Sequence, residues 1–267
     1  MQALDDVTLL REYAANNSEA AFETLVTRHI RLVYSAALRQ TCDPELAEEV
    51  TQAVFTLLAR KASQLSRNII LAGWLFKTTR YISMAQNRNV TRQRKLEQKF
   101  QMQAEGQCSA PDPLWEQIAP LLDDALMQLS EKDRQAVLLR YMEGRNLAEI
   151  GGAMGTGEDA ARMRINRALE KLQSYLRRRG ITSTTMIITG FLSASAVQAA
   201  PVGLSKSMIA VGVAKGMGAS GGIQALLAEA SKLILCSKIK AALPLVMAVL
   251  LVQRKNPCPP GMVRKEV

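Results

Sequence analysis

Residues 130–172, SEKDRQAVLLRYMEGRNLAEIGGAMGTGEDAARMRINRALEKL, carry three helical signals separated by two glycine turns. Ser130-Glu131-Lys132-Asp133 reads as a capping box opening a helix whose apolar positions are Ala136, Val137, Leu138, Leu139 and Tyr141, and Gly144 closes it. Residues 146–155 form a short helix with a glycine ending, and residues 157–172 a longer one. Two short helices joined by a three- or four-residue glycine turn are the signature of a helix-turn-helix. Steps of about 100° along the second helix put Ala161, Ile165, Ala168 and Leu172 on one core-facing stripe. Asp159, Arg162, Met163, Asn166 and Arg167 fall on the opposite face. In a major groove Arg bonds guanine and Asn bonds adenine through paired hydrogen bonds, so this face is the expected duplex contact. The alternative is an ordinary helical hairpin with a solvated Arg face. The turn length, the small residues and the local basic cluster favour DNA.

The whole chain agrees with a polyanionic partner. It has 267 residues, 34 Lys plus Arg against 24 Asp plus Glu, and a formal charge of +10. The excess is concentrated. Residues 1–59 carry 4 basic and 9 acidic side chains, residues 60–99 carry 10 and 1, and residues 100–161 carry 4 and 11. Residues 162–180 then carry 7 and 1, and residues 181–267 carry 9 and 2. Two basic patches about 80 residues apart, each after an acidic block, imply two separate contacts with a polyanion.

Composition excludes much else. An apolar fraction of 48% argues against wholesale disorder, and 4% aromatics suits helices packed through Leu, Ala and Met. His29 is the only histidine, and Cys42, Cys108, Cys236 and Cys258 have no zinc-ligand spacing, so no metal, no cofactor and no histidine-based catalysis is expected. The scatter of cysteines fits a reducing, cytoplasmic setting better than a disulfide framework. The N-terminus, MQALDD, lacks a secretory signal.

From Asp5 to Lys99 apolar residues recur at helical spacing, as in Phe22, Leu25, Val26, Ile30 and Val33, then Ala47, Val50, Val54, Leu57 and Leu58. Asp43 reads as an N-cap with Pro44 at the first helical position, and Glu45, Glu48 and Glu49 suit the positive end of that helix. The basic block interleaves Trp74, Phe76 and Tyr81 with Lys77, Arg80, Gln86, Asn87, Arg88, Arg92 and Arg94. Such interleaving suits single-stranded nucleic acid, where bases stack on rings and phosphates meet cations. Trp74 is assigned to the core, and Tyr81 is the better stacking candidate. Residues 104–113, AEGQCSAPDP, have the composition of a linker, and Gly180 is a helix stop. The expected organisation is an all-α chain: a domain over 1–100, a linker over 101–115, a second domain over 116–180 and an extension over 181–267.

Four stretches in order, residues 47–55 (AEEVTQAVF), 73–77 (GWLFK), 129–140 (LSEKDRQAVLLR) and the helix-turn-helix, resemble the extracytoplasmic-function class of bacterial sigma factors, within the sigma-70 family. The likeness covers roughly residues 5 to 180. It implies a helical region-two domain and a helix-turn-helix region-four domain. It also implies a protein that does no bond chemistry of its own but binds core RNA polymerase, through clamp helices and flap, and directs it to promoters. Carried over, Glu48, Glu49, Gln52 and Phe55 would dock on the clamp helices. The stretch from Lys77 to Arg94 would bind the minus-ten element and its displaced strand, and the helix with Arg162, Asn166 and Arg167 would read the duplex minus-thirty-five element. An anti-sigma factor is a further partner of the kind the resemblance implies. The chain has Glu49 and Ala53 where the family usually has Asp and Glu, and Tyr81 and Ala85 where Asn and Asp are frequent. A helix-turn-helix regulator working without polymerase, or a membrane-anchored signalling adaptor, are the competing readings.

The extension stands outside that pattern. Residues 181–203 are uncharged and long enough to span a bilayer, though only weakly apolar. Residues 241–252, AALPLVMAVLLV, form a stronger segment that reaches twenty residues if extended back to Leu233, with the intervening lysines snorkelling to the headgroups. Over 233–252 the expectation divides between a membrane tether and an amphipathic helix packed on the other domains as a built-in regulator. Residues 216–221, GMGASG, match a dinucleotide-binding glycine pattern but lack the acidic residue about 20 positions on, so they read as a joint.

Overall fold

The computed structural model describes residues 5–97, 113–181, 184–194 and 198–213, together with 223, 224 and 226–228. Helices make up the regular structure, and no strand occurs among the described residues. They are α1 (Asp6–Asn16), α2 (Glu19–Thr41), α3 (Pro44–Lys61), α4 (Leu71–Glu97), α5 (Pro113–Gln128), α6 (Glu131–Val137), α7 (Leu147–Ala153), α8 (Glu158–Arg178), α9 (Thr185–Ala194) and α10 (Val202–Val213). A 3-10 turn, Ala62–Gln64, follows α3, and α6 runs on as a π turn, Leu138–Met142.

Capping sets the helix starts. The Ser18 side chain accepts from the Ala21 amide and opens α2. The Asp43 carboxylate accepts from the Glu45 and Leu46 amides at 2.9 and 3.2 Å, with Pro44 at the first position of α3, as the sequence indicates. At Ser130 the hydroxyl accepts from the Asp133 amide at 3.2 Å, which is half of the expected box. The Asp133 carboxylate does not return to the cap. It turns to α8, where it accepts from Arg164 at 3.2 Å and Lys171 at 2.6 Å. The reciprocal box lies at the next helix instead, between Asn146 and Glu149 at the start of α7.

Two cores result. The first joins α1 to α4 through Leu10, Phe22, Leu25, Val54 and Leu58, and takes in Leu204 and Met208 of α10 with Ile223 and Leu227. The second joins α5 to α9 through Trp115, Leu126, Leu138, Ile165 and Leu172, and takes in Ile188 and Leu192 of α9. The two units share a face: Leu32 and Ala36 of α2 and Ala72 and Phe76 of α4 belong to the second core. Trp74, assigned to the core from sequence, is partly buried against the first cluster. Gly180, with φ of +86°, ends α8 as expected.

Residues 181–203, long enough as a string to cross a bilayer, do not form one helix: α9 stops at Ala194 and α10 starts at Val202. No helix among the described residues is long and apolar enough to cross a membrane. The segment 233–252 and the glycines of 216–221 lie outside the described residues, as does most of the 101–115 linker. Cys42, in left-handed conformation at the end of α2, is disulfide-bonded, a pairing that the cysteine spacing did not indicate.

Candidate nucleic-acid interface

The turn between α7 and α8 is tight. Gly155 has φ of +64°, and the Thr156 amide donates to the Gly151 carbonyl at 2.8 Å. A Cβ on Gly151 would lie 2.8 Å from the Thr156 carbonyl oxygen, so glycine is required where the turn folds back on α7. On α8 the predicted stripe is buried, with Ala161 and Ala168 at 0% exposure, Ile165 at 4% and Leu172 at 1%. Asp159, Arg162, Met163, Asn166 and Arg167 are all exposed on the other side. Met163 is 62% exposed, an apolar group offered to solvent in the middle of a polar face. The Arg164 and Lys171 cations hold α8 on Asp133, and together with Ser130 they keep that carboxyl below the usual carboxylate range although burial pushes it up. Two of the seven cations of this block are therefore structural. Arg179 lies over the Tyr175 ring at 5.2 Å, and Arg162 makes only an exposed pair with Glu158.

The predicted contacts on α4 are in a different state. Arg80 pairs with Asp124 of α5, Gln86 is buried and donates to Glu49 at 2.9 Å, and Asn87 donates to the Gln40 carbonyl at 2.9 Å. Lys77 and Tyr81 are half-buried, and Arg88 is exposed. The side chains of Arg92 and Arg94 lie outside the described residues. On α3, Glu49 is exposed, Glu48 and Gln52 are half-buried and Phe55 is fully buried. Phe55 thus supports the helix from the core in this form and offers no surface. Every residue of α3 from Ala53 to Ala59 is buried, with α2, α4 and α10 packed around the helix.

Sequence reasoning missed the polar junction between the units. Arg39 reaches Asp123 at 2.8 Å with both side chains almost fully buried, and Gln40 donates to the same carboxylate at 3.0 Å. Nearby, Asp6 accepts from Arg28 at 2.8 Å and from Arg145 at 3.0 Å, and lies 3.1 Å from His29 Nε2. His29 Nδ1 is 2.9 Å from Glu143, whose other oxygen accepts from Arg145 at 2.9 Å. Burial alone would lower the imidazole pKa, but hydrogen bonding to Asp6, then the close Glu143 carboxylate and the charge of both, pushes it up to about 9. Asp6 is held well below the carboxylate range: burial opposes this, and His29, Arg28 and Arg145 outweigh it. Asp6, His29 and Glu143 lie close enough to suggest a metal site. Both ring nitrogens lie near carboxylates, so the doubly protonated cation fits the place, although Nδ1 and the Glu143 oxygen beside it are buried in an orientation that makes no hydrogen bond. A cleft of about 920 Å³ beside them, lined by Arg11, Arg67, Lys132, Asp5 and Glu149, mixes both signs of charge.

Comparison with known proteins agrees with this layout. Residues 25–93 match the Sigma-70 region 2 family, and residues 120–172 match the Sigma-70, region 4 family. The chain is 30% identical over 164 residues to the RNA polymerase sigma factor CarQ of Myxococcus xanthus, covering 60% of this chain and 92% of that protein. It is 29% identical over 183 residues to the ECF RNA polymerase sigma factor SigE of Mycolicibacterium smegmatis, covering 64% and 69% of the two chains. It is 28% identical over 158 residues to the ECF RNA polymerase sigma factor SigF of Caulobacter vibrioides, covering 58% and 85%. With region two in α2 to α4, region four in α5 to α8 and relatives that align across both, the chain belongs to the extracytoplasmic-function group of the sigma-70 family of RNA polymerase sigma factors.

Proposed function

We propose that this sigma factor engages core RNA polymerase through the acidic side of α3 (Glu48, Glu49 and Gln52), binds the minus-ten element and its displaced strand through α4, and reads the minus-thirty-five duplex through α8. The reading places its work in the cytoplasm, where the polymerase is. The observation that carries it is the α8 face: five side chains of suitable chemistry, Asp159, Arg162, Met163, Asn166 and Arg167, stand exposed on one side of a helix whose opposite stripe is buried. Such a helix enters a major groove with its N-terminal residues on base edges. On α4, Lys77, Arg80, Arg88, Arg92 and Arg94 supply cations, and Tyr81 supplies a ring on which an unpaired base stacks. Capture of unstacked bases offsets an unpairing cost of a few kcal/mol, which helps to hold a melted promoter open.

The test uses the full chain with core polymerase on templates selected from a genomic library. Arg162→Ala and Asn166→Ala should each weaken promoter use about fivefold or more, since a paired base contact is worth about 1–3 kcal/mol. Core binding should be retained. Unchanged promoter use in both variants would mean that another face of α8, or another helix, reads the duplex.

A further inference from the structure

The extension joins both units. Through α9 it sits on region four: Ile188 and Leu192 are buried in the second core, and the Phe191 ring lies 5.4 Å from that of Trp115. Six residues after Leu192, Gln198 takes up the other unit, its amide donating to Ser35 Oγ of α2 at 2.6 Å. Then α10 lies along α2 and α3 with Met208 fully buried. The Tyr13 hydroxyl donates to the Gly212 carbonyl at 2.7 Å, a buried bond between α1 and α10. Gly212 sits so close to the Phe22 ring that a Cβ there would fall 2.1 Å from it, so only glycine fits. Apolar burial, two main-chain hydrogen bonds and a glycine contact describe a made seat, not a chance approach.

That seat conflicts with the proposed function, on which this argument rests. Elements at minus thirty-five and minus ten are separated by 25 base pairs, about 85 Å at 3.4 Å per step. Units of this size are about 30 Å across, and here they share a buried face, so their centres lie roughly one diameter apart. The stretch from Leu192 to Gln198 spans at most about 20 Å even when fully extended. With both ends of the extension seated, region two and region four cannot reach both elements.

We propose that the C-terminal extension is an intramolecular clasp, α9 fixed on region four and α10 seated on region two, and that α10 leaves its seat when the chain engages core polymerase. The clasp holds a closed form in which region two is withheld and the α8 face stays open. Where only a fraction of molecules is open, apparent affinity is reduced by that fraction, so unseating α10 tightens binding.

Two full-length variants and one measurement on the natural chain test this. Met208→Glu places a charge in the buried seat, and Gly212→Val drives a side chain into Phe22. Either should raise affinity for core polymerase about tenfold or more. In the natural chain, amide hydrogen exchange over residues 204–213 should speed up on adding core polymerase. Exchange that stays slow in the complex overturns the clasp whatever the variants do, and so does unseating of α10 in a variant with no gain in affinity. Binding of core by neither the natural chain nor the variants would instead fall on the sigma reading, and take the clasp with it.

Discussion

The two helices proposed to meet DNA are in opposite states. On α8 the side chains proposed to read the duplex face solvent, and among the described residues the ion pair on that face is the exposed Arg162–Glu158 contact. On α4 the corresponding groups are already engaged: Arg80 by Asp124, Gln86 by Glu49 and Asn87 by the Gln40 carbonyl. Both helices are cationic, so charge alone does not separate them. The difference lies in what packs nearby. Among the described residues the face of α8 opposite its core stripe is exposed, whereas α4 lies against α2 and α3, and the α5–α6 end of the other unit abuts it. On the proposed reading, region four in this closed form can probe duplex DNA while region two is withheld.

The strongest way to break that asymmetry is at the junction. Asp123→Ala removes the buried carboxylate that the Arg39 guanidinium and the Gln40 amide share, a cost of about 3–5 kcal/mol if the closed form persists. Separation of the units lets Arg39 reach water and avoids most of that cost. Small-angle scattering should therefore show a larger radius of gyration for Asp123→Ala than for the natural chain, with helix content retained. An unchanged radius and unchanged melting would mean that this pair does not hold the units together.

A smaller and graded effect comes from pH. In the closed form His29 faces Asp6 and Glu143, whose oxygens are shared with Arg28 and Arg145, and its pKa stands at about 9. Opening takes Glu143 and Arg145 away but leaves Asp6, which belongs to α1 of the same unit, so only part of the rise is lost on opening, whereas an unfolded chain returns the imidazole to about 6.5. The group's folded pKa is raised, so its contribution to folding is complete below about pH 6.5 and is lost as pH rises through about 9; the share that depends on closure, its pairing with Glu143, is lost in the same direction at the upper end of that window. Asp6 runs the other way: its pKa is depressed in the closed form, so its contribution is lost only in acid, below the ordinary carboxylate range. Fluorescence energy transfer between labels on α3 and α8 should report closure falling as pH rises through about 9, and His29→Gln should remove the slope. A flat profile in the natural chain would show that the imidazole is not part of the latch.

Much of α8 could be read beforehand because its signals are local. A stripe with helical period and a glycine turn need no knowledge of distant residues, and Ala161, Ile165, Ala168 and Leu172 are buried as their spacing indicates. The junction could not be read that way. Asp6 meets Arg145 across 139 positions, and Tyr13 meets Gly212 across 199, so neither pairing leaves a trace in spacing. The lone His29 carries no pattern at all. The segment of α10 is apolar on nearly every side, a composition shared by a membrane helix and by a helix enclosed in protein. Phe55 lies seven positions after Glu48, on the same side at about 100° per residue, so spacing alone does not show that it is enclosed; α2, α4 and α10 packed around α3 bury it.

The smallest test sharpens the comparison from the open side. Arg162 and Glu158 are 3.4 Å apart, and their side chains are 56% and 51% exposed. An exposed pair four residues apart contributes about 0.3–0.5 kcal/mol, so Glu158→Gln should lower the thermal stability of region four only marginally. Glu158 also lies in the first turn of α8, where a carboxylate favours the helix but repels DNA phosphate. Its removal frees Arg162 and reduces that repulsion, so duplex affinity should hold steady or rise about twofold, in contrast to the loss expected for Arg162→Ala. Electrophoretic binding titrations at fixed salt would distinguish the outcomes, and a tenfold loss for Glu158→Gln would mean that the pair orients Arg162 for its base. On α4 the corresponding changes are larger for Arg80 and Gln86, which must surrender part-buried partners before they can turn to a nucleic acid.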